Sequence, residues 1–144
     1  MIRITKEFSF EAAHLLEGYD GLCSQIHGHS YCLQVTVEGT PSTTVGDSKE
    51  GMVMDFGELK GIVNKSVVER FDHSLVIHRT PATEGLRAAL KEHLERIVEV
   101  DYRPTCENMV ADMAALLAPA LPAHVRLCSV RLYETATSYA ERLL

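Results

Sequence analysis

The chain contains 144 residues, of which 46% are hydrophobic and 24% are charged, with a formal net charge of −6. A chain of this length predicts one domain, residues 1–144, that can bury a hydrophobic core. The negative charge leaves no basic stripe for nucleic acid, and no apolar run reaches the roughly 18 residues that a membrane helix needs. The N-terminal residues contain no apolar signal segment, so we expect a cytoplasmic protein whose four cysteines are free thiols.

The first half of the chain predicts two strands joined by a loop. Apolar and polar residues alternate over residues 2–13, and β-branched and aromatic residues dominate residues 30–39, so both segments are predicted strands. Residues 15–26 contain turn-forming residues and are predicted to be a loop that holds Cys23. A polar connection follows, and a short strand is predicted over Met52–Met54.

The second half predicts two long helices and a final strand. Asp55 and Glu58 have the spacing of a helix-capping pair, and the apolar stripe that follows predicts a helix to about Arg70. The later segments predict a short helix over residues 84–95, a strand over 96–100, a long helix over 105–118 with Thr105 as its cap, and a strand over 124–134. Hairpin-paired strands with helices on one face describe a two-layer α+β sandwich, whose open sheet edges favour pairing between subunits.

Three histidines and a cysteine lie close together near the start of the chain. Imidazole nitrogen suits Zn²⁺, and a catalytic zinc takes three protein ligands and leaves one position open. His27 and His29 are two residues apart, so they leave the same face of a strand, and His14 ends an alternating run that can add a third nitrogen. Cys23 has no CxxC partner, which favours a thiol that acts near the metal. An HxH pair alone is weak evidence, but the four residues together predict a metalloenzyme.

Four further residues have both a structural and a chemical interpretation. Asp72 and His73 form a common dipeptide, but with Cys23 they supply an activated thiol, in which the imidazole accepts the thiol proton and the carboxylate orients the imidazole. Glu107 at a helix start can simply favour the helix dipole. Glu134 at a strand end is a position where carboxylates are often solvated. In a pocket, its carboxylate can accept two hydrogen bonds from an amidine-like edge.

Six motifs then occur along the chain in order. They are FEAAH (Phe10–His14), CxxxHGH (Cys23–His29), MDFGELK (Met54–Lys60), FDH (Phe71–His73), PTCEN (Pro104–Asn108) and YET (Tyr133–Thr135). Together they resemble the 6-pyruvoyl-tetrahydropterin synthase superfamily, over about residues 5 to 135. The three-residue gap between the cysteine and HGH resembles the bacterial 6-carboxy-tetrahydropterin synthase branch, because the animal-type enzymes have a longer gap.

This resemblance implies the tunnelling fold (T-fold) of the α+β class. Its antiparallel sheet has four strands, with two main helices on one face. Subunits of the family join edge to edge into a β-barrel, commonly as trimers stacked into hexamers. We therefore expect a homo-oligomer with its pockets between subunits and a small-molecule pterin as its substrate, with neither nucleic acid nor membrane as a partner.

The resemblance also assigns residues to the site. It implies one zinc ion per subunit, held by His14, His27 and His29. By motif matching, the catalytic positions are Cys23, Asp72 and His73, the pterin-anchoring glutamate is Glu134, and the residues lining the pterin pocket are Thr105 and Glu107.

The implied substrate is 7,8-dihydroneopterin triphosphate. In the 6-carboxy branch its side chain is cleaved to give 6-carboxy-5,6,7,8-tetrahydropterin, acetaldehyde and triphosphate, which serves 7-deazapurine (queuosine-type) synthesis. The sequence lacks the asparagine that usually follows Asp72–His73 in the family. It also offers no obvious Lys/Arg cluster for the triphosphate, and Arg79 and Arg87 are only weak candidates.

Two alternatives stay open. The first is a 6-pyruvoyl-tetrahydropterin synthase, which eliminates triphosphate and can add cleavage of the sepiapterin side chain. The second is a non-catalytic T-fold protein that binds zinc and pterin. The presence of Cys23, Asp72 and His73 argues against the second alternative, because a binding module needs no base beside its metal.

Overall fold

A single mixed sheet of six strands organises the computed structural model, which describes all 144 residues. The strand order is β4-β3-β1-β2-β5-β6. The strands are β1 (Ile2–His14), β2 (His27–Gly39), β3 (Ser74–His78), β4 (Ile97–Val100), β5 (Val125–Thr135) and β6 (Ser138–Leu143). Neighbours are antiparallel from β1 through β2 and β5 to β6, whereas β3 runs parallel to both β1 and β4.

The predicted four-stranded antiparallel sheet is therefore wrong in its strand number and in part of its strand direction. The parallel strand β3 was not predicted, because all its residues but the last are buried and it has no alternating pattern. The exposed strand β6 was not predicted either, because few of its residues face the core. The strand predicted over Met52–Met54 does not form; Val53 and Met54 are buried within a loop instead.

The helices begin where the sequence predicts. Helix α1 (Phe56–Val63) continues through a π-helical stretch (Asn64–Val68) into α2 (Glu69–Phe71), and the later helices are α3 (Glu84–Lys91) and α4 (Cys106–Leu117). The Asp55 side chain accepts hydrogen bonds from the backbone N–H groups of Gly57 and Glu58, and Thr105 accepts one from that of Asn108. These caps satisfy N–H groups that a helix start leaves without partners.

The two long helical segments and one face of the sheet share a single core. Alternate residues of β1 and β2 point into it, because successive side chains of a strand leave opposite faces. The core contains Phe8, Phe10, Leu33, Val35 and Val37 from these strands, Leu59, Val63 and Val67 from the first helical segment, and Met109, Met113 and Leu117 from α4. His14 ends the core-facing row of β1 and is itself buried, so the row leads directly to the predicted metal site.

Helix α3 packs on the opposite side of β3. Leu75 and Ile77 form a small second cluster with Leu90 of α3, whereas Val76 belongs to the main core. Strand β3 is therefore covered on both faces, which explains its continuous apolar sequence.

Both outer parts of the sheet leave backbone groups free. Strand β1 pairs with β3 only through Ala12–His14, so the residues of β1 before Ala12 have no neighbouring strand on that side, and β6 is the outermost strand at the other edge. None of the helices combines the length and the apolar character needed to cross a membrane.

Candidate metal and catalytic site

The three predicted histidines meet at the hairpin of β1 and β2. His14 lies directly opposite His27 in the antiparallel pairing, and His29 lies opposite Ala12, so all three side chains leave the same face. One nitrogen of each ring lies within 4.8 Å of the others. His14 is buried, whereas His27 and His29 are half-buried. The three residues could hold a metal ion.

Backbone carbonyls fix the tautomers of two of these rings. His14 Nδ1 lies 2.8 Å from the carbonyl oxygen of Pro104, and His27 Nδ1 lies 2.8 Å from that of Gln25. A carbonyl can only accept, so each Nδ1 must donate, and each Nε2 of the neutral ring carries a lone pair. The two Nε2 atoms lie 3.1 Å apart, an arrangement that a shared cation stabilises.

The unpaired nitrogen of His29 and the lowered pKa values in the cluster also fit a metal ion. His29 Nε2 is buried and has no hydrogen-bond partner, although Glu134 Oε1 lies 3.7 Å away. Burial lowers the pKa of His14 and of His29. Lowered pKa values favour the neutral imidazole, which is the form that binds metal.

A cavity of about 350 Å³ lies beside the histidines, and four of the predicted site residues line it. Its lining includes Cys23, Thr105, Glu107 and Glu134. Cys23 reaches it from the predicted loop, in a short 3-10 turn at Leu22–Ser24. The N-cap and first turn of α4 supply Thr105 and Glu107, and the end of β5 supplies Glu134.

Six of the ten residues that line this cavity were not among the predicted site residues, and two of them lie close in sequence to predicted ones. Tyr19, on the same loop as Cys23, lines it, and so does Cys106. The Cys106 thiol donates to the carbonyl of Leu132, and burial raises its pKa to about 11. Cys106 therefore remains a neutral thiol at ordinary pH. No sequence pattern points to Tyr19, because an isolated loop tyrosine is common.

Asp72 and His73 lie in a tight turn anchored to β1. The backbone N–H of His73 donates to the Glu11 carbonyl, and the Glu11 N–H donates to Asp72 Oδ1 at 2.9 Å. This last bond is the main reason why the pKa of Asp72 is lowered. His73 has a φ of 56°, in the left-handed region, and its Nδ1 lies 3.0 Å from Asp72 Oδ1. The carboxylate thus orients the imidazole, which is largely exposed.

Within one chain, however, Asp72 and His73 do not reach the cavity that contains Cys23. His73 lines two other cavities, of about 420 and 490 Å³, and Asp72 lines the second of these. His29 also lines the 420 Å³ cavity and lies close to Glu134 of the Cys23 cavity. The histidine cluster therefore lies between the two groups of predicted catalytic residues.

The structure pairs both arginines that the sequence offers for a triphosphate. Arg79 donates to Asp101, and Arg87 donates to Glu99 and to the carbonyl of Thr80. Both guanidinium groups are already neutralised by carboxylates of the same chain.

Comparison with known proteins gives a family match over nearly the whole chain. The family model described as 6-pyruvoyl tetrahydropterin synthase matches residues 3–143. The chain belongs to this family. It is 37% identical over 142 residues to a protein of Haemophilus influenzae named 6-carboxy-5,6,7,8-tetrahydropterin synthase, with 98% of each chain covered. It is 36% identical to a protein of the same name from Synechocystis sp., covering 82% of this chain and 98% of the relative.

Solved structures agree on the fold of the family. A crystal structure of an uncharacterized protein from Wolinella succinogenes superposes with a TM-score of 0.76, at 23% identity and with 99% and 97% of the two chains covered. The 6-pyruvoyl tetrahydropterin synthase of Caenorhabditis elegans superposes with a TM-score of 0.69, at 23% identity and with 99% and 95% covered. The T-fold that the motifs implied is thereby confirmed as the fold of this chain, with two more strands than expected.

Proposed function

We propose that the protein is a zinc-dependent 6-carboxy-5,6,7,8-tetrahydropterin synthase. It converts 7,8-dihydroneopterin triphosphate to 6-carboxy-5,6,7,8-tetrahydropterin and releases acetaldehyde and triphosphate. One observation supports this proposal more strongly than any other. A three-histidine cluster adjoins a cavity that contains both Cys23 and Glu134, in a chain 37% identical along its whole length to a relative of that name.

Zinc is the metal that we assign to His14, His27 and His29. Three imidazoles in fixed orientations suit Zn²⁺ and leave a coordination position for the substrate. When bound, Zn²⁺ is a Lewis acid that lowers the pKa of hydroxyl groups on the substrate side chain. Burial supports this role, since it lowers the pKa of His14 and of His29 and so favours the neutral imidazole that binds metal.

Glu134 and the start of α4 would hold the pterin ring. The carboxylate of Glu134 can accept two hydrogen bonds from the N–H groups at the amidine-like edge of the ring. Thr105 and Glu107 line the same cavity, so the ring can lie between α4 and the loop that carries Cys23. The cavity adjoins the histidines, because Glu134 Oε1 lies 3.7 Å from His29 Nε2, so a pterin bound in it would lie next to the metal ligands.

Proton transfer is the role of Cys23, Asp72 and His73. Cys23, as the thiolate, would take a carbon-bound proton from the side chain next to the ring. His73, oriented through its Nδ1 by Asp72, has an exposed ring that can exchange protons with a thiol or a substrate oxygen. Because Cys23 and His73 line different cavities of one chain, we propose that the site is completed by His73 of a neighbouring subunit.

An oligomer built by edge pairing supplies that neighbour. The free edge of β1 and the outer edge of β6 are two open sides of the sheet, in addition to the outer edge of β4. The family's barrel of trimers, stacked into a hexamer, is the arrangement that we propose for this chain. A pterin pocket between subunits then requires the oligomer for activity.

Product identification tests the activity directly. Zinc-loaded protein is incubated with 7,8-dihydroneopterin triphosphate, and the products are identified by mass spectrometry. We expect 6-carboxy-5,6,7,8-tetrahydropterin together with acetaldehyde. A 6-pyruvoyl product would overturn the 6-carboxy assignment in favour of the sister activity. Absence of turnover at full metal occupancy would overturn the assignment as an enzyme on this substrate.

A matched pair of thiol variants separates catalysis from binding. Cys23→Ala should abolish turnover while zinc content and pterin affinity stay unchanged, because the thiol is assigned to proton transfer. Cys32→Ala, on β2 and outside the cavity, should keep full activity. Equal activity of the Cys23→Ala variant and the wild type would exclude Cys23 as the base.

A further inference from the structure

Arg103 is a partly exposed residue whose cation has no counter-ion in the chain. Its Nε and Nη2 atoms are buried and have no hydrogen-bond partner, and the side chain forms no ion pair. Only the backbone of Arg103 forms hydrogen bonds: its carbonyl accepts one from the Thr105 N–H and one from the Asn108 side chain. A guanidinium remains charged at every physiological pH, so burial without an acceptor is costly unless an anion completes it.

Other arginines near the site have an acceptor, which sets Arg103 apart. Even Arg131, whose Nε is also buried without a partner, forms an ion pair with Glu141. Arg79 and Arg87 pair with carboxylates, and Arg96 donates to the backbone carbonyls of Glu69 and Asp72. Glu17 has a buried carboxylate oxygen without a partner, but its ion pair is with His78. The anion for Arg103 must therefore come from outside the chain.

Arg103 lies beside both halves of the proposed active site. Its guanidinium carbon lies 5.7 Å from the centre of the Tyr19 ring, and Tyr19 lines the cavity that contains Cys23 and Glu134. The next residue, Pro104, supplies the carbonyl that orients the metal ligand His14. Arg103 does not line the cavity itself, so an anionic group that extends from a bound substrate would meet this guanidinium next to the cavity wall at Tyr19.

We propose that Arg103 binds the phosphate chain of the substrate. The inference rests on the proposed function, since it assigns the phosphate-bearing end of that substrate to one residue. The planar fork of guanidinium donors matches phosphate oxygens in a bidentate arrangement, and stacking on Tyr19 holds the fork in place. Arg103 is thus a specificity-determining residue that separates phosphorylated from unphosphorylated dihydropterins.

Direct binding tests this without requiring turnover. Inorganic tripolyphosphate is titrated by calorimetry into the wild type, Arg103→Gln and Arg103→Lys. Metal content is measured before and after, because polyphosphates chelate divalent metals. We expect Arg103→Gln to weaken tripolyphosphate binding at least about tenfold and Arg103→Lys to have a smaller effect, since Lys keeps the charge but loses the fork. The affinity for unphosphorylated 7,8-dihydroneopterin should not change in any variant.

Kinetics and a control variant complete the test. Arg103→Gln should raise KM for 7,8-dihydroneopterin triphosphate by a similar factor with little change in kcat, because the contact is made in the ground state. Arg79→Gln, which removes an arginine already paired with Asp101, should behave as the wild type. Equal tripolyphosphate affinity in folded wild type and Arg103→Gln would overturn the inference. Wild-type binding that depends on Arg103, without any turnover, would overturn the proposed reaction and leave the anion site intact.

Discussion

At the scale of single residues, the imidazole of His14 is the most constrained part of the site. It is buried at the end of the apolar row of β1, its Nδ1 bonds the Pro104 carbonyl, and its Nε2 lies 3.1 Å from that of His27. The His14 ring cannot turn to find another partner without leaving the buried Pro104 carbonyl and its own buried nitrogen unpaired. The cluster is therefore organised before a metal arrives.

The metal assignment predicts a loss of metal when one ligand is removed. His27→Ala leaves two imidazoles, so its zinc affinity should fall by more than the ~10–100-fold that loss of an outer partner costs. We expect about one zinc per chain in the wild type and a small fraction of that in the variant. Elemental analysis of purified proteins by mass spectrometry measures this. His93→Ala, exposed beyond α3, is the control, and a variant at His27 with full zinc content would contradict the assignment.

Residue identity and spacing were enough to predict the cluster, but not what surrounds it. Strand alternation puts His27 and His29 on one face, and pairing of neighbouring strands adds His14. The carbonyl that orients His14 belongs to Pro104, 90 residues along the chain, and any residue type has a carbonyl. The same limit applies to Arg103, whose lack of a partner depends on packing that no local pattern encodes.

At the scale of elements, the turn between α2 and β3 is held by contacts from two separate segments. Arg96, just before β4, donates to the carbonyls of Asp72 and Glu69 at distances of 2.7 to 3.0 Å. On the other side, Glu11 of β1 bonds the backbone and side chain of the Asp72–His73 pair. Together they maintain the left-handed φ of His73, which a non-glycine residue seldom adopts.

Removing Arg96 should therefore loosen the turn and slow the reaction. Arg96→Met keeps much of the aliphatic stem but loses the hydrogen bonds, so we expect about 1 kcal/mol lower stability and a lower kcat with unchanged zinc content. Urea unfolding and steady-state kinetics measure the two effects. Arg96→Lys should recover part of kcat because one donor remains. Unchanged kcat in Arg96→Met would show that the turn needs no such support.

A second polar cluster connects three strands at the other end of the sheet. Glu38 of β2 accepts hydrogen bonds from Arg126 of β5 and from Arg3 of β1, each with an Nε–O distance of 3.0 Å. Mainly because of Arg126, and then Arg3, the pKa of Glu38 is lowered from 4.5 to about 2. A carboxyl whose pKa is lower in the folded state stabilises that state above its unfolded pKa and loses the effect as pH falls.

The stability of the wild type should consequently depend on pH through Glu38. At pH 7 the wild type should unfold at higher urea concentration than Glu38→Gln, and the difference should decrease as pH falls from 4.5 to about 2. Urea midpoints across this range measure it. Glu58→Gln, which removes a surface ion pair with Lys49, should shift the midpoint little at any pH. A difference that stays constant down to pH 2 would contradict the role of the Glu38 charge.

The elements that the sequence predicted and those that it missed differ in one physical respect. Amphipathic segments with caps, such as α1 after Asp55 and α4 after Thr105, carry both a period and a start signal. Strand β3 is buried on both faces and β6 is exposed, so neither has an alternating pattern. Burial without alternation also produced the false strand at Met52–Met54, where Val53 and Met54 enter the core from a loop.

At the scale of the whole molecule, the direction of the strands suits edge pairing between copies. Three successive antiparallel pairings connect β1 to β6, so these two strands run in opposite directions. Placing the free edge of β1 beside β6 of another copy then creates an antiparallel pair, and repetition of this step closes a ring. The same step brings residues of separate chains to each site.

A site shared between subunits predicts that two inactive variants restore each other's activity. Cys23→Ala and His73→Ala should each be inactive alone. In coexpressed mixed oligomers, random assembly gives about a quarter of the sites both wild-type residues when Cys23 and His73 come from different chains. Turnover of 7,8-dihydroneopterin triphosphate, measured on oligomers isolated through two different affinity tags, should therefore recover to about that fraction of the wild-type rate.

A second mixture distinguishes shared sites from general stabilisation by assembly. Cys23 and Glu134 line the same cavity of one chain, so Cys23→Ala mixed with Glu134→Ala leaves every site with one defect. This mixture should stay inactive although its oligomers are equally mixed. If the Cys23→Ala and His73→Ala mixture is inactive as well, His73 does not complete the site of a neighbour. The separation of Cys23 and His73 within one chain would then have to close by movement of the loop that carries Cys23.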